Sequence, residues 1–543
     1  MSISSFFGLS MMSGALGAQK RGLEVTGHNI SNANTPGFSR QRAVLGAGMP
    51  LPIPSLNRPS MVGMVGTGVQ VEEIRRYRDD FLDLRFRNEN REMGYWMAKA
   101  DTLNKLEYIL NEPSEEGLQA VMDRFWDSCQ DLAQDPSNRS NRIAVIEHGV
   151  TITESFRHLA KSFDDLEREL NNEVGIKVNR INDVAEKIRD INMQIQRAEV
   201  AGDNANDLRD RRDHLLDELS DYVDVAVYEQ DDGTVLVRSG NGVLVEGIYV
   251  NKLTTVEKPD DEGKALKEIT WESGRDAVFY GGSLRGTLVS RGTLEKSYFP
   301  EINGHEKNGN GSYGNGSNGE AGNGEENGGT VEAAAKPLQR YGTIADLRKN
   351  LAAMAEAFVT EFNNIHSHED ARNLKDINLT DDERRQLLFF VNRDDPTNGE
   401  IKWDNLTVNR EIRLDPALFA AARVSGAEEF AEGDNKNVLE MVRLRYEAVD
   451  LGKYGKATLD NHYRSIISQL GVMSEQSMRM SENQIRLVTA IDNQRQSISG
   501  VSLDEEMANM IQQQHAYNAA ARMLTTMDDM IDTIVSRMGL VGR

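Results

Sequence analysis

The stretch NISNANTPGF, residues 29–38, is a cluster of structure-breaking residues near the start of a 543-residue chain. Pro36 and Gly37 fit the second and third positions of a tight turn, because the third position needs a positive φ. Thr35 precedes a proline and is expected to be extended. Three asparagines can hydrogen-bond their own backbone locally: Asn29, Asn32 and Asn34. The stretch therefore predicts the end of a helix and a change of chain direction.

An apolar stripe leads up to this turn. Spacings of three and four residues give seven positions, of which five are apolar: Leu9, Met12, Leu16, Leu23 and Ile30. Five glycines interrupt the stripe, at positions 8, 14, 17, 22 and 27. Each glycine in a helix interior costs about 0.8–1 kcal/mol relative to alanine. The N-terminal helix is therefore expected to be marginal alone and to need a partner helix.

A stronger stripe closes the chain between residues 503 and 538, where nine of eleven heptad positions are apolar. Its members include Leu503, Met507, Met510, Tyr517, Leu524, Ile531 and Val535. The sequence SLDE at 502–505 is a capping box that begins a helix, and Gly539 lies where its end is expected. Stripes at both ends predict that the terminal helices pair as a coiled coil, with Leu16 and Leu23 near Leu524, Ile531 or Val535.

The middle of the chain alternates between two hydrophobic periods. A helical stripe runs through 174–195, breaks at AGDNAND (201–207) and resumes at LRDRRDHLLDEL (208–219), whose alternating charges predict a solvated, salt-bridged face. Valines then alternate with other residues around DDG (231–233), which predicts a β-hairpin. Residues 343–366 return to a helical stripe, and 386–425 favours short strands.

Residues 303–329 contain 10 glycines and 7 asparagines among 27 positions, which is typical of a disordered insert. The predicted fold class is mainly α with a β outer domain: a multi-domain, rod-like protein with paired terminal helices, a helical middle domain and a partly β outer insert. The predicted segments are 1–48 and 500–543 (inner coiled coil), 49–222 and 437–499 (helical domain), 223–302 (β-containing outer domain), 303–342 (insert) and 343–436 (helix and outer strands).

The composition limits the function classes. The formal net charge of −24 argues against a nucleic-acid partner, which requires a basic face. The single cysteine, Cys129, permits neither an internal disulfide nor a cysteine-ligated zinc site. No run reaches the roughly eighteen apolar residues of a membrane helix, and the apolar start lacks the pattern of a signal peptide. We expect no membrane insertion.

Three stretches resemble bacterial flagellar axial proteins, the family of rod, hook and hook-associated proteins. They are HNISNANTPGFSRQR (28–42), SGVSLDEEMANMIQQQHAYNAAARMLTTMDDMIDTIV (499–535) and NDLRDRRDHLLDELSDYVDVAVYEQDDG (206–233). The third is similar to a stretch typical of the first of two junction proteins between hook and filament. QAVMDRFWDSCQDLAQDPSNRSNRIAVI (119–146) and FVTEFNNIHSHED (358–370) fit the same family.

The resemblance implies a structural adaptor outside the cell, at the hook–filament junction of the flagellum. Such a protein is exported by the flagellar type III route and assembles through its terminal helices into a ring or helical layer. The implied partners are further copies of itself, the hook protein, the second junction protein and a cytoplasmic export chaperone. Within the same family, the alternative is a hook or distal-rod protein.

A metal-dependent hydrolase is the alternative from another class. HSHED (366–370) offers nitrogen and oxygen ligands in His366, His368, Glu369 and Asp370. A polar helix end explains the same residues. Cys129 has no suitably spaced histidine for a thiol dyad, and the chain contains no phosphate loop, nucleophile elbow or dinucleotide fingerprint. We therefore expect neither catalytic residues, nor a metal, nor a cofactor.

Overall fold

The computed structural model describes residues 7–49, 66–112, 114–115, 117–260, 262–294, 340–375, 387–396, 399–424 and 431–537. Its helices are α1 Phe7–Asn32, α2 Asp80–Leu110, α3 Leu118–Gln134, α4 Arg139–Val200, α5 Asn206–Tyr222, α6 Gly282–Arg291, α7 Thr343–His366, α8 Arg410–Leu414, α9 Lys436–Leu444, α10 Leu459–Ser499 and α11 Leu503–Arg537. Short 3₁₀ turns lie at Pro416–Leu418 and Gly452–Tyr454.

The strands are β1 Gln41–Ala47, β2 Val69–Arg76, β3 Ala226–Glu229, β4 Val235–Ser239, β5 Gly242–Glu246, β6 Tyr249–Val250, β7 Leu253–Pro259, β8 Ala265–Trp271, β9 Ala371–Arg372, β10 Phe390–Asn392, β11 Leu406–Val408, β12 Ala422–Arg423, β13 Val449–Asp450 and β14 Lys456–Ala457. The largest sheet has the order β3-β4-β5-β6, and the others are two-stranded. Long helices with a few small sheets confirm the predicted fold class.

Two compact units divide the chain. The first unit contains Met1–Met93, Arg180–Lys252 and Asn483–Arg543, and the second contains Gly94–Asn179 and Leu253–Glu482. The predicted segment ends at 48 and 222 are not borders of these units, and three of the borders lie inside α2, α4 and α10, at residues 93, 179 and 482. The segment predicted as one outer β domain, 223–302, is also divided, with β3–β6 in the first unit and β7–β8 in the second.

In the first unit, several local predictions hold. Helices α4 and α5 are separated by a short break at residues 201–205. The hairpin follows as antiparallel β3 and β4, with Val227 opposite Val237 and Gly233 at φ +77° in the connecting turn. Helix α1 ends in the 29–38 stretch and leads into the β1–β2 hairpin, which carries a bulge between Val44 and Leu45.

An aromatic core organises the second unit. Phe125 and Trp126 of α3 contact Phe358 of α7 edge-on, with ring centroids 5.9 and 5.7 Å apart. Phe362 and Phe390 complete the cluster, and all five rings are almost fully buried. The helical stripe predicted for 343–366 forms α7 with those same bounds. The 386–425 segment supplies the short strands β10, β11 and β12.

Most of the predicted insert, residues 303–339, lies outside the described residues, but its last three positions belong to the fold. Tyr341 and Thr293 exchange two backbone hydrogen bonds of 2.8 and 3.0 Å. The buried Arg340 guanidinium lies 3.0 Å from Glu167 and 3.4 Å from Asp260. Arg340 and Tyr341 are therefore part of the fold, although the predicted insert includes them. The sequence alone does not predict this boundary, because an arginine can be recognised as buried only when its carboxylate partners are known.

Among the helices that the structure describes, none is both long and apolar enough to cross a membrane.

Candidate assembly surface

The 29–38 stretch forms the predicted turn at the end of α1. The Phe38 amide donates to the Thr35 carbonyl at 3.2 Å, with Pro36 and Gly37 at the two central positions and Gly37 at φ +78°. A side chain at Gly37 would also collide with His214 of α5, since its Cβ would lie 2.8 Å from the His214 Cβ. Glycine is therefore required here twice, for the turn and for the close approach to α5.

The three asparagines of the stretch have different roles. Asn32 bonds locally as predicted, donating to the His28 carbonyl at 3.0 Å, and Asn34 is exposed. Asn29 does not bond locally and is buried. Its amide donates to the Gln41 carbonyl at 2.8 Å and accepts from the Gln41 amide at 3.0 Å. The local prediction for Asn29 is wrong because the turn brings β1 back alongside the last turn of α1.

Asn29 also reaches the C-terminal helix. Its Nδ2 donates to Glu506 of α11 at 3.0 Å, and Arg40 donates to the other oxygen of the same carboxylate at 2.8 Å. Glu506 is 2% exposed. We call Asn29, Arg40 and Glu506 the terminal-helix junction. Sequence reasoning missed Arg40 and Glu506, although the third acid of SLDEE, Glu506, falls on the inner side of α11 and was a usable signal.

The predicted capping box is half formed. Ser502 precedes α11, and its hydroxyl accepts from the Glu505 amide at 3.5 Å. The Glu505 carboxylate does not complete the box, because it forms an ion pair with Arg40 at 2.8 Å. Gly539, the predicted stop, lies outside the described residues.

Helices α1 and α11 pack antiparallel. Gly8 lies against Met527, Gly22 lies against Gln513, and the Thr26 hydroxyl donates to Gln513 at 3.2 Å. Leu23 follows Gly22 and therefore lies beside the N-terminal third of α11, away from Leu524, Ile531 and Val535, so the register predicted for Leu23 is wrong. Heptad stripes permit several registers with equal apolar overlap, and buried polar pairs such as Asn29–Glu506 select one of them.

The predicted apolar stripe of α1 is not its most buried face. The buried residues are mostly small or polar, namely Ala18, Gly22, Val25, Thr26 and Asn29. The predicted stripe is half-buried at each of its five positions: Leu9, Met12, Leu16, Leu23 and Ile30. Small residues face α11 because they allow the two helices to approach closely. The leucines are left on the flank of the helix.

Helix α11 likewise leaves apolar side chains in solvent. Of the predicted residues, Met510, Tyr517, Leu524 and Ile531 are half-buried, whereas Leu503, Met507 and Val535 are 46%, 51% and 74% exposed. Further exposed apolar residues that the prediction omitted are Ile511, Met523, Met530 and Ile534. The terminal helices therefore carry more apolar surface than they bury against each other in one chain.

The charged face of α5 is not solvated, which corrects the prediction made for LRDRRDHLLDEL. Its acids Asp210, Asp213 and Asp217 are buried or nearly so, facing four arginines from other segments of the first unit. Arg76 lies 2.7 Å from Asp210, and Arg87 lies 2.8 Å from Asp217. The remaining members of this arginine–aspartate network are Asp83, Arg78 and Arg495. Charges alternate along a helix whether its charged face is solvated or buried against charged partners. The sequence pattern therefore could not distinguish a solvated face from a buried network.

Local electrostatics in this network follow from burial and pairing. Burial raises the pKa of Asp210. Burial acts in the same direction on Asp213, but Arg78, Arg87 and Arg76 outweigh it and hold the pKa of Asp213 at about 2. Burial lowers the pKa of Arg212 to about 10, and its guanidinium donates to the Gly233 carbonyl at 2.7 Å. Asp213 therefore stays ionised and ties β2, α2 and α5 together.

HSHED does not converge on a ligand site. The two ring nitrogens of His366 are both engaged, since Nδ1 lies 3.1 Å from the Leu387 carbonyl and Nε2 accepts from the Ala420 amide at 3.2 Å. His368 accepts from the Asp370 amide at 3.2 Å. Within the described residues, no group of three His, Cys, Asp or Glu side chains is arranged to hold a metal ion.

Cys129 lies in α3 and is fully buried, and burial raises the pKa of its thiol. A buried, protonated thiol is chemically inert.

Known proteins resemble this chain over its whole length. A family model described as the flagellar hook-associated protein FlgK helical domain matches residues 103–373. Models for the flagella basal body rod protein and for the flagellar basal body rod FlgEFG protein C-terminal region match residues 9–38 and 492–537. These last two matches contain most of α1 with its turn and all of α11.

Whole-chain relatives carry one name. Flagellar hook-associated protein 1 of Bacillus subtilis is 30% identical over 99% of this chain and 100% of its own length. The Escherichia coli protein of that name is 26% identical over 97% of this chain and 98% of its own length. The solved structure of the flagellar hook junction protein FlgK from Burkholderia pseudomallei, 13% identical, matches with a TM-score of 0.54 over 77% of this chain and 100% of that chain. The chain belongs to the flagellar hook-associated protein 1 family, a family of structural proteins of the bacterial flagellum.

Proposed function

We propose that this chain forms the layer of subunits that joins the hook to the filament, outside the cell, and that it assembles through α1 and α11. Family membership supports the flagellar role, and one relative is titled a hook junction protein. The observation that carries the assembly mechanism is the apolar surface that the terminal helices leave uncovered.

That surface needs neighbours. Met507, Met523 and Met530 are each about half exposed or more on α11, and the α1 stripe is half-buried beside it. Removing apolar surface from water is worth about 25 cal/mol per Å². Lateral packing of such helices between copies would bury both stripes. It would also add neighbours to the glycine-interrupted α1, whose pairing with α11 leaves its apolar stripe half-buried.

The proposed position in the flagellum implies the partners. Copies of the chain lie beside it in a ring or helical layer, the hook protein lies below and the second junction protein lies above. A cytoplasmic export chaperone holds the C-terminal helix before secretion, which shields the stripe that includes Leu524 and Ile531. Export by the flagellar type III route suits a chain whose terminal helices are disordered until neighbours cover them.

Deletion of the gene tests the position. Hooks should still form, and flagellin should be shed into the medium because no junction retains it. Electron microscopy of the mutant cells and immunoblots of the medium give the two readouts. Normal filaments on the deletion strain would show that the chain is not the junction protein.

The assembly mechanism predicts that Leu524→Asp abolishes motility. The substitution places an unpaired charge in the seam between helices, where burying an isolated charge carries a severe penalty. Thr525→Asp is the matched control, because Thr525 is adjacent to Leu524 in the sequence but has an exposed side chain, and this position should tolerate the same charge. Circular dichroism of purified full-length protein should show the rest of the chain still folded.

Limited proteolysis of the free wild-type monomer provides a second measurement. Protease should trim both terminal helices and spare the remainder. If the ends resist protease, or if the Leu524→Asp protein builds normal filaments, then coupled folding and assembly of the termini is wrong.

A further inference from the structure

One row of side chains crosses the whole β3–β6 sheet. The register places Tyr228 opposite Leu236, Leu236 opposite Glu246, and Glu246 opposite Tyr249. Tyr228 is 55% exposed and Tyr249 is 72% exposed. In an antiparallel sheet with one buried face, the outer face normally carries polar residues. Here two tyrosines and a leucine occupy it instead.

The inner face of this sheet packs against the core of the first unit. Val237 and Val245 are fully buried there. The Asn192 amide of α4 donates to the Val235 and Gly247 carbonyls at 3.2 and 2.8 Å. The sheet is therefore fixed to the first unit through its inner face. The aromatic row on the outer face is not needed for that attachment.

Acidic groups accompany the aromatic row. Glu246 lies within it, and Asp231 and Asp232 are exposed at the adjoining β3–β4 turn. Arg238, also exposed, is the basic residue of β4 on this side. We call Tyr228, Leu236, Glu246 and Tyr249, with the β3–β4 turn, the acidic aromatic face.

A face of opposite character lies on the β1–β2 hairpin of the same unit. Arg42 and Arg75 stand directly opposite each other in the register, and both are exposed. Like charges in that position destabilise a strand pair. Glu73, two residues before Arg75 on β2, is exposed as well. The arrangement is best stabilised by an additional anionic group, which a docking partner can provide.

One aromatic side chain contacts this arginine pair, and exposed apolar residues follow it along the chain. The Arg42 guanidinium donates to the Tyr77 hydroxyl at 3.3 Å. Along the chain, Phe81 and Leu84 follow at the start of α2, where they are 67% and 52% exposed, and Arg85 is exposed beside them. We call Arg42, Arg75, Tyr77, Phe81, Leu84 and Arg85 the basic aromatic face.

We propose that the acidic aromatic face of one copy docks on the basic aromatic face of the next copy. This inference rests on the proposed function, because a ring or helical layer requires head-to-tail contact between two different faces of one chain. The occupant is a second copy since the chain itself carries both complementary surfaces. Its net charge of −24 makes copies repel elsewhere, so an arginine-rich face is where an acidic neighbour is attracted. Arginine also binds well over tyrosine rings.

Cysteine cross-linking within assembled flagella tests the contact. The natural Cys129 is fully buried and does not compete for reagent. The full-length double variant Leu84→Cys with Tyr249→Cys replaces the wild-type chain in cells, and isolated hook–filament structures are treated with a short bis-maleimide. We expect a ladder of covalent multimers of the chain. The control variant pairs Leu84→Cys with Tyr108→Cys, since Tyr108 is 86% exposed but belongs to neither face. It should yield monomers.

The outcomes separate the two proposals. If the chain is present in the isolated structures but stays monomeric, the docking contact is wrong. A ladder from the control variant of equal strength would overturn it as well. If the chain is absent from hook–filament structures, the proposed junction function fails instead.

Charge exchange provides an independent measurement if the cysteine variants assemble poorly. Glu246→Arg and Arg42→Glu should each reduce swarming, and the double variant should recover most of the wild-type swarm diameter because opposite charges face each other again. A double variant as defective as the worse single variant would overturn the docking contact.

Discussion

Asn29 acts as a connector between three segments of the chain. It bonds both backbone groups of Gln41 and the carboxylate of Glu506, while the turn that follows it is formed by Thr35, Pro36, Gly37 and Phe38. The two halves of the 29–38 stretch thus have different structural roles. The proline–glycine half redirects the chain, and the asparagine at its start joins α1, β1 and α11.

Replacement of Asn29 by alanine should destabilise the first unit. The change removes the hydrogen bonds to the Gln41 backbone groups and to one oxygen of Glu506, whose other oxygen keeps Arg40. An unsatisfied buried group costs about 1–3 kcal/mol. Asn34→Ala is the control, because Asn34 is exposed and its loss should be nearly neutral. Because the terminal helices are proposed to fold fully only beside neighbouring copies, swarm diameter and the amount of the chain in isolated hook–filament structures measure the difference. Equal values for the two variants would contradict the connector role.

His366 should make the second unit sensitive to acid. Burial lowers the pKa of His366 to about 4, so the folded protein keeps the ring neutral where the unfolded chain protonates it. Stability from this residue is complete above the unfolded pKa and is lost as the pH falls from about 6.5 towards 4, approaching about 3 kcal/mol.

The measurement compares wild type with His366→Gln, whose amide can also donate and accept. Urea unfolding midpoints at pH 7 and pH 4.5 give the comparison. The wild type should lose more stability on acidification than the variant. Parallel losses in the two proteins would show that His366 does not carry this pH dependence.

At the scale of the element, α5 is a helix whose charged side faces inward. Its aspartates meet arginines supplied by β2, by the segment that follows β2, by α2 and by α10. Buried ion pairs rarely add much net stability, but removal of one partner leaves a charge uncompensated. The network therefore specifies how these segments fit together more than it strengthens the fold.

Asp213→Asn should be strongly destabilising for this reason. Its carboxylate lies 3.0 Å from Arg76 and 3.3 Å from Arg87, and the loss should cost about 3–5 kcal/mol. Asp203→Asn, in the exposed break before α5, should change little. Thermal unfolding followed by circular dichroism distinguishes the two. A small effect of Asp213→Asn would mean that the network is open to water.

The glycines of α1 are not equivalent. A Cβ at Gly8 would lie 2.5 Å from the Met527 sulfur, and one at Gly22 would lie 3.0 Å from the Gln513 side chain, whereas a Cβ at Gly17 or Gly27 would meet no described neighbour within 4 Å. The first two glycines permit close packing on α11. The last two weaken the helix without permitting such packing on any described segment, which fits a helix that folds fully only beside its neighbours.

At the scale of the whole molecule, the glycine- and asparagine-rich insert should be dispensable. The stems that flank residues 295–339 are joined by the Thr293–Tyr341 backbone pair and by Arg340 between Glu167 and Asp260. Shortening a loop between fixed ends changes the closure entropy by only about 0.6 kcal/mol for each halving. Replacement of 303–329 by a short flexible linker should leave motility nearly unchanged.

Swarm assays and an immunoblot of hook–filament structures check this prediction. Arg340→Ala, which keeps the insert and removes the stem contact, is the informative comparison and should lower the stability of the second unit. If removal of the insert blocks junction assembly, the insert makes a required contact.

The sequence by itself determined the fold class and the flagellar family. It also determined the order of the N-terminal helix, the β3–β4 hairpin and the C-terminal helix along the chain. Local chemistry decides those features: Pro36 and Gly37 set a turn, heptad stripes set the terminal helices, and valine alternation around DDG set the β3–β4 hairpin. Each signal spans a few neighbouring residues, so one chain carries it without reference to the rest of the fold.

Only the tertiary structure decided which faces are buried. Heptad spacing allows several registers, and the leucine stripe of α1 is a plausible core until Gly8 and Gly22 are found against α11. The alternating charges of α5 give the same sequence pattern whether the face is exposed to water or buried in an ion-pair network. Asn29, Arg40, Asp213 and His366 all depend on partners distant in sequence. Burial is a property of what packs against a residue, and that information is absent from the residue's own neighbourhood.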